Sequence, residues 1–258
     1  MIANVWTERF PVRSYEVTPR GTASVPALAD YLQEAAGHHA ADLGVSMQDL
    51  LAEGQAWVLA HLRLQIRRLP AWGDTVLVHT WPSGLEGLFA TREFLLTTEQ
   101  ADAEAALARG TSAWLTIDTE RRRPLRPLKV LRSLEPPPRD HALEHRFGDL
   151  PAPDRCDSEQ RFRVRYHDLD VNRHVNNVRY LEWALETLPG DLLQSGRCTA
   201  LALQFRAEST MGQDIHATAQ IDRGGSRTDV RHRLVHAADD RVLARATSRW
   251  TPPRADVS

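Results

Sequence analysis

Four polar side chains in the second half of the chain have the types and the spacing for attack on a carbonyl. Asp170, Asn172 and His174 fall at every second residue of a polar run that begins at Tyr166, and Glu208 follows on the strand-like stretch Leu203–Glu208. If the backbone is extended from Asp170 to His174, alternation places these three side chains on one side and Val171 and Arg173 on the other. A carboxylate can activate water, and an amide or imidazole can polarise a carbonyl and receive the charge that develops on its oxygen. Taken singly, Asp170 and Asn172 suit turn and capping chemistry, and His174 a satisfied core histidine. Together with Glu208 they read as one working site.

A helix must follow the cluster directly. From Val178 the apolar positions Val178, Leu181, Leu185 and Leu188 trace one helical face. Asn176 or Asn177 is the natural N-cap, and Pro189-Gly190 ends the helix after about three turns. The first half holds a similar element: Ser24 before Pro26 marks a helix start, and Leu28, Tyr31, Leu32 and Ala35 supply its apolar face. Strand-like runs follow at Trp57–Ile66, Thr75–Trp81, Ala90–Thr97 and Ala106–Ile117, separated by Gly-, Pro- and Asp-bearing turns.

The two halves repeat one order of elements. Val12-Arg13 pairs with Val164-Arg165, Tyr31-Leu32 with Tyr180-Leu181, and Leu64-Gln65-Ile66-Arg67 with Leu203-Gln204-Phe205-Arg206. Gly73 pairs with Gly212, and the run Arg109 to Trp114 with Arg245 to Trp250. The expected fold class is α+β: a tandem (double) hotdog, two long helices each packed on a curved antiparallel sheet. The expected bounds are an N-terminal hotdog at 1–118, a Pro/Arg-rich linker at 119–158 and a C-terminal hotdog at 159–258. In this register Asp170 stands opposite Gly21, Asn172 opposite Ala23, His174 opposite Val25 and Glu208 opposite Leu69. The first copy lacks all four polar side chains, so the chemistry is expected in the second copy alone.

Composition narrows the rest. The 258 residues are 42% hydrophobic with a formal charge of -2, which excludes a mainly disordered chain and gives no basic footprint for nucleic acid. The two cysteines, Cys156 and Cys198, form no C-x-x-C pair, which points to a reducing compartment. No basic leader with an apolar core opens the chain, and no apolar run is long enough for a membrane span, so a cytoplasmic protein is expected. His38, His39 and Asp42, and His141 with His145, are weak metal patterns, so neither metal nor cofactor is expected. The linker run Arg121, Arg122, Arg123, Arg126, Lys129 and Arg132 reads as a solvated surface or as a docking patch for an acidic partner.

The stretch D-L-D-V-N-R-H-V-N-N-V-R-Y-L-E-W resembles the signature of the plant and bacterial acyl-acyl-carrier-protein thioesterases, double-hotdog enzymes that release fatty acids from their carrier. L-Q-F-R-A-E, ending at Glu208, is similar to that family's L-x-Y-R-R-E, and D-T-E-R-R-R-P from Asp118 resembles its D-x-x-T-R-R-P. The resemblance implies Asp170, Asn172, His174 and Glu208 as the catalytic set and acyl carrier protein as the partner that delivers substrate. Ser209 stands where plant members have Cys, and Ala207 replaces the family's second Arg, so a thiol nucleophile is lacking at that position. Glu208 as general base and Glu208 as nucleophile both remain open. An acyl-CoA thioesterase or a non-catalytic acyl-binding module are the alternatives. Trp57, Leu59 and Trp81 are candidates to line an acyl groove between the two helices. A double hotdog contains the pairing that single hotdogs obtain by dimerising, so a monomer or a homodimer is expected.

Overall fold

The computed structural model describes residues 5–99, 105–127, 141–143 and 147–252, in two compact units, Met1–Phe147 and Gly148–Ser258. In the first unit, β1 (Trp6–Pro11) precedes α1 (Val25–Asp42) and α2 (Met47–Ala52). The strands β2 (Gln55–Ile66), β3 (Thr75–Glu86), β4 (Phe89–Thr98), β5 (Ala108–Asp118) and the two-residue β6 (Arg123–Pro124) complete it. Ser24 caps α1 by accepting the Ala27 N–H, and Leu28, Tyr31, Leu32, Ala35 and Ala36 bury its apolar face against β1 and β3. The antiparallel sheet runs β1-β3-β4-β5-β2, with β6 paired to β5.

The second unit repeats this plan. It contains β7 (Ser158–Arg163), α3 (Asn177–Leu185), α4 (Gly190–Ser195), β8 (Arg197–Phe205), β9 (Asp214–Arg223), β10 (Thr228–His236) and β11 (Val242–Thr251). Its sheet order, β7-β9-β10-β11-β8, is that of the first unit, strand for strand. The fold is therefore the expected α+β tandem hotdog. The second helix, however, is half the length of the first, nine residues against eighteen. It stops at Leu185 rather than at Pro189 because the Thr187 hydroxyl takes the Ala184 carbonyl at 2.7 Å, and Pro189 disfavours helical backbone at Leu188 and instead opens α4.

Hydrogen bonds give the register between copies. Gly73 N–H meets Val12 O as Gly212 N–H meets Val164 O, both glycines at positive φ. Arg67 and Arg68 N–H share Leu107 O as Arg206 and Ala207 N–H share Leu243 O. Trp114 and Trp250 each donate their indole N–H to the serine two residues before them. The expected repeat holds in the sheets. Before the helix it must be moved by three residues. The bonds Thr18 N–H to Thr22 O and Asp170 N–H to His174 O correspond, as do Gly21 N–H to Thr18 O and Arg173 N–H to Asp170 O. Asp170 thus stands opposite Thr18, Asn172 opposite Arg20, Arg173 opposite Gly21 and His174 opposite Thr22. Tyr31 matches Trp183 and not Tyr180: Phe10 stacks on Tyr31 as Phe162 stacks on Trp183. The first copy still carries none of the second's Asp, Asn and His, and Leu69 remains opposite Glu208.

Part of the connection between the copies is docked. Glu93, fully buried, accepts from the Ser83 and Thr111 hydroxyls and from the Ala142 N–H at 3.0 Å, and pairs with His141. Leu150 N–H bonds Gln204 and Asp154 N–H bonds Gln220. Lys129 and Arg132 of the basic run lie outside the described residues. Among the described residues no helix is long and apolar enough to cross a membrane.

A buried polar chain fastens α3 to its sheet. Trp250 donates to Ser248 Oγ, which lies 3.0 Å from His232 Nε2; His232 Nδ1 lies 3.1 Å from Thr187 Oγ1, whose proton goes to Ala184 O. Because the Thr187 hydroxyl proton goes to Ala184 O, Thr187 Oγ1 accepts from His232, so neutral His232 carries its proton on Nδ1 and its Nε2 accepts the Ser248 hydroxyl. Burial pulls its pKa down to about 4. In the first unit burial, and then the Arg92 guanidinium, pull His39 to about 4 as well, with Arg92 Nη1 3.0 Å from His39 Nδ1.

Two outcomes follow from these observations. An unfolded histidine titrates near 6.5, so between about pH 4 and 6.5 the unfolded chain holds protons that the folded chain refuses. Stability is therefore full above that window and is lost as pH falls through it. For His232 the gap from 6.5 to about 4 amounts to on the order of 3 kcal/mol. The urea midpoint should drop between pH 7 and pH 5, and His232→Gln should flatten that slope; an unchanged slope would refute the assignment. Arg173 carries φ +62°, where a non-glycine residue is strained by roughly 1–2 kcal/mol. Arg173→Gly should therefore raise the urea unfolding free energy, by up to about 1 kcal/mol after glycine's extra unfolded-state entropy.

Candidate active site

The expected extended stretch from Asp170 to His174 is instead a closed turn. Leu169 and Val175 form an antiparallel bridge, and between them Asp170 N–H bonds His174 O at 2.8 Å while Arg173 N–H bonds Asp170 O at 3.0 Å. The Asp170 carboxylate closes the turn from within: one oxygen accepts the N–H of Asn172 at 2.8 Å and of His174 at 3.2 Å. Thr18 performs the weaker hydroxyl version of this in the first copy, accepting Arg20 N–H at 3.3 Å. Asp170 therefore shapes the turn. Asn172 and His174 are set by that turn and not by strand alternation.

Two backbone bonds dock the turn. Asn176 N–H reaches Asp168 O at 2.9 Å, just before Asn176 caps α3 by accepting Val178 N–H. Val175 N–H reaches Ser209 O, also at 2.9 Å, joining the turn to the loop that leaves β8. That loop carries Glu208. His174 and Glu208 consequently meet, Nε2 to Oε1 at 3.4 Å, with 30% and 37% of their side chains exposed. Solvent can reach both, and the helix N-terminus that follows favours negative charge nearby. A carboxylate beside an imidazole, open to water, can take a proton from that water while the imidazole donates to an oxygen opposite.

Asp168 is a supporting residue that spacing alone did not single out. It is 1% exposed, and burial opposes its charge. Bonds from the Arg165 N–H at 2.8 Å and guanidinium at 2.9 Å outweigh burial and hold its carboxyl below the usual range. Glu16 accepts the Arg13 N–H in the same way in the first copy, so an arginine followed three residues later by a carboxylate was the available signal.

Other candidates fall elsewhere. The Ser209 hydroxyl is buried, with its carbonyl spent on Val175. Cys198 is buried on β8 and burial pushes its thiol up to about 12, while Cys156 is exposed and unpaired with any cysteine. Trp57, Leu59 and Trp81 are not gathered. Trp57 donates its indole N–H to Val45 O, Leu59 is buried beside it on β2, and Trp81 packs into the core with Leu95 and Ala106 on the other side of β4 and β5. His38 engages Glu8 and Glu34, and His39 is turned into the core. Among the described residues no group of three or more His, Cys, Asp or Glu side chains could hold a metal ion.

Comparison with known proteins meets this geometry. Residues 3–132 match the acyl-ACP thioesterase N-terminal domain and residues 152–252 the acyl-ACP thioesterase C-terminal domain. A chloroplastic acyl-[acyl-carrier-protein] hydrolase of Cuphea viscosissima is 30% identical over 98% of this chain, which spans 64% of that relative's length. The solved 12:0-ACP thioesterase from Umbellularia californica is similar with a TM-score of 0.83 and 26% identity, covering 96% of this chain and 94% of that one. An acyl-ACP thioesterase from Bacteroides thetaiotaomicron, at 22% identity and a TM-score of 0.81 over 95% of this chain and 97% of its own, shares the fold. With a matching domain for each hotdog, in order and nearly end to end, the chain belongs to the acyl-ACP thioesterase family.

Proposed function

We propose that the protein hydrolyses the thioester of fatty acyl-acyl carrier protein and releases the free fatty acid. The observation that carries this reading is the approach of His174 to Glu208 across two loops that backbone bonds join. Glu208 takes a proton from water as the water oxygen attacks the thioester carbon. The oxyanion is met by the His174 imidazole, the Asn172 amide or N–H groups at the start of α3. The carbon–sulfur bond then breaks, and the thiolate leaves with the proton that Glu208 returns. A thiol of ordinary acidity departs without metal assistance. Asp170 keeps His174 and Asn172 in place through the turn it closes. Attack by Glu208 itself, through an acyl anhydride, is the less favoured route because the paired imidazole and the open face suit delivery of water.

The carrier protein supplies the substrate, and the exposed run Arg121, Arg122, Arg123 and Arg126 beyond β5 suits an acidic partner approached by electrostatic steering. Turnover of carrier-bound substrate should then fall as ionic strength rises.

Glu208→Gln keeps size and removes the base, so kcat for thiol release from acyl-carrier substrate should fall by roughly 100-fold or more while the unfolding midpoint holds. Cys198→Ala should retain turnover. Full activity in Glu208→Gln, or collapse in Cys198→Ala with folding intact, would overturn this mechanism.

A further inference from the structure

The arginines around the turn are engaged, with one exception. Arg163 pairs with Asp214, Arg165 with Asp168, Arg179 with Glu182 and Arg206 with Asp149, at 3.6, 2.9, 2.6 and 2.7 Å. Arg173 is exposed and, among the described residues, has no carboxylate at ion-pair distance. It occupies the positive-φ position of the turn, at +62°, where the first copy has Gly21 at +71°. The copy without the polar set thus uses the residue that this backbone favours, and the copy with it carries a long cation there, next in sequence to His174. A solvated surface arginine needs no such position.

The two loops that meet at this turn carry large apolar side chains that nothing covers. Val171 is 87% exposed, Tyr166 72% and Met211 59%. All three lie on the two loops joined by the bonds from Val175 to Ser209 and from Gly212 to Val164. A cation that shares its loops with uncovered apolar side chains, next in sequence to a pair able to cleave a thioester, matches a ligand with a thioester at one end, a largely uncharged body and a phosphodiester at the other. We infer that Arg173 binds the phosphodiester of the 4′-phosphopantetheine arm of the acyl carrier, and that Tyr166, Val171 and Met211 form the lip along which the arm lies. This rests on the hydrolase reading above. Charge chemistry identifies the ligand: phosphate is drawn to a cation with free donors, and among the described residues of these loops Arg173 is the arginine whose donors no carboxylate takes.

Two thioesters of one fatty acid, on 4′-phosphopantetheine and on pantetheine lacking the phosphate, test the inference directly. The wild-type protein should prefer the phosphorylated substrate in kcat/KM by roughly fivefold, the size of an exposed charge contact, and the preference should shrink as salt is added. Arg173→Gln should bring the ratio close to one, and Arg173→Lys should keep most of it. A ratio that survives in Arg173→Gln, or that is already one in the wild type, overturns the inference and leaves the hydrolase reading standing. Run alongside, Arg173→Gln should lower kcat/KM on acyl-carrier substrate; a loss confined to acyl-CoA would overturn the carrier as the source of the arm. If the wild type cleaves none of these thioesters, the hydrolase reading fails and takes this inference with it.

Discussion

The backbone bond from Val175 N–H to Ser209 O, at 2.9 Å, is the constraint on which the candidate site depends. His174 precedes its donor and Glu208 precedes its acceptor, so a bond between neither side chain decides that they meet. Its counterpart in the first copy, Ala23 N–H to Pro70 O at 2.8 Å, performs the same junction with no polar set attached. The junction therefore belongs to the fold, and the second copy has placed an imidazole and a carboxylate on a contact that the hotdog makes anyway. A site built on backbone pairing is held more firmly than one whose side chains must find each other, because ordering costs are met once, by folding.

What lies beneath the turn is organised to keep it still. The Asp170 and Asp168 carboxylates, which could have been chemical groups, are committed to N–H donors of their own loop and to Arg165. At the other end of α3 the chain from Trp250 through Ser248, His232 and Thr187 to Ala184 pins the last turn of the helix to β10 and β11. A nine-residue helix has little stability of its own and takes its position from such anchors. Burial favours the neutral form of His232, so this anchor of α3 is weakened by protonation as pH falls.

The sequence was most legible where structure is periodic. The sheets aligned residue by residue, from Leu64 with Leu203 to Trp114 with Trp250, because strand pairing and burial impose residue types at fixed intervals. The helix register slipped by three, setting Tyr31 on Tyr180 where the fold sets Tyr31 with Trp183. A helix shifted by three residues keeps nearly the same buried face, so its apolar pattern hardly distinguishes the two registers. In either register the first copy lacks the Asp, Asn and His of the second. The turn was read as extended for a related reason: alternation in Asp170, Asn172 and His174 looks like a strand, whereas a carboxylate folding back on the amides two and four residues ahead leaves no periodic trace. The Glu208 pairing left no spacing signal and was legible only through the comparison of copies and the resemblance, since sequence distance conceals which loops a backbone bond will join.

Comparing the copies separates structure from function more sharply than either copy could alone. Thr18 and Asp170 both close the turn, so turn closure by itself explains Asp170. Glu16 and Asp168 both accept an arginine N–H, so that carboxylate is scaffold in each. Gly21 and Arg173 share a backbone that favours glycine, and here the scaffold explains only the first of them. A residue kept against the preference of its own backbone marks a place where stability has been exchanged for something else. With His174 beside it and Glu208 across the Val175 junction, the strained position lies on the loop where the proposed hydrolysis places a tethered thioester. The same duplication that built the fold thus supplies an internal control, and measured against it the departures specific to the second copy, His174, Glu208 and Arg173, fall on the two loops that the Val175 bond joins.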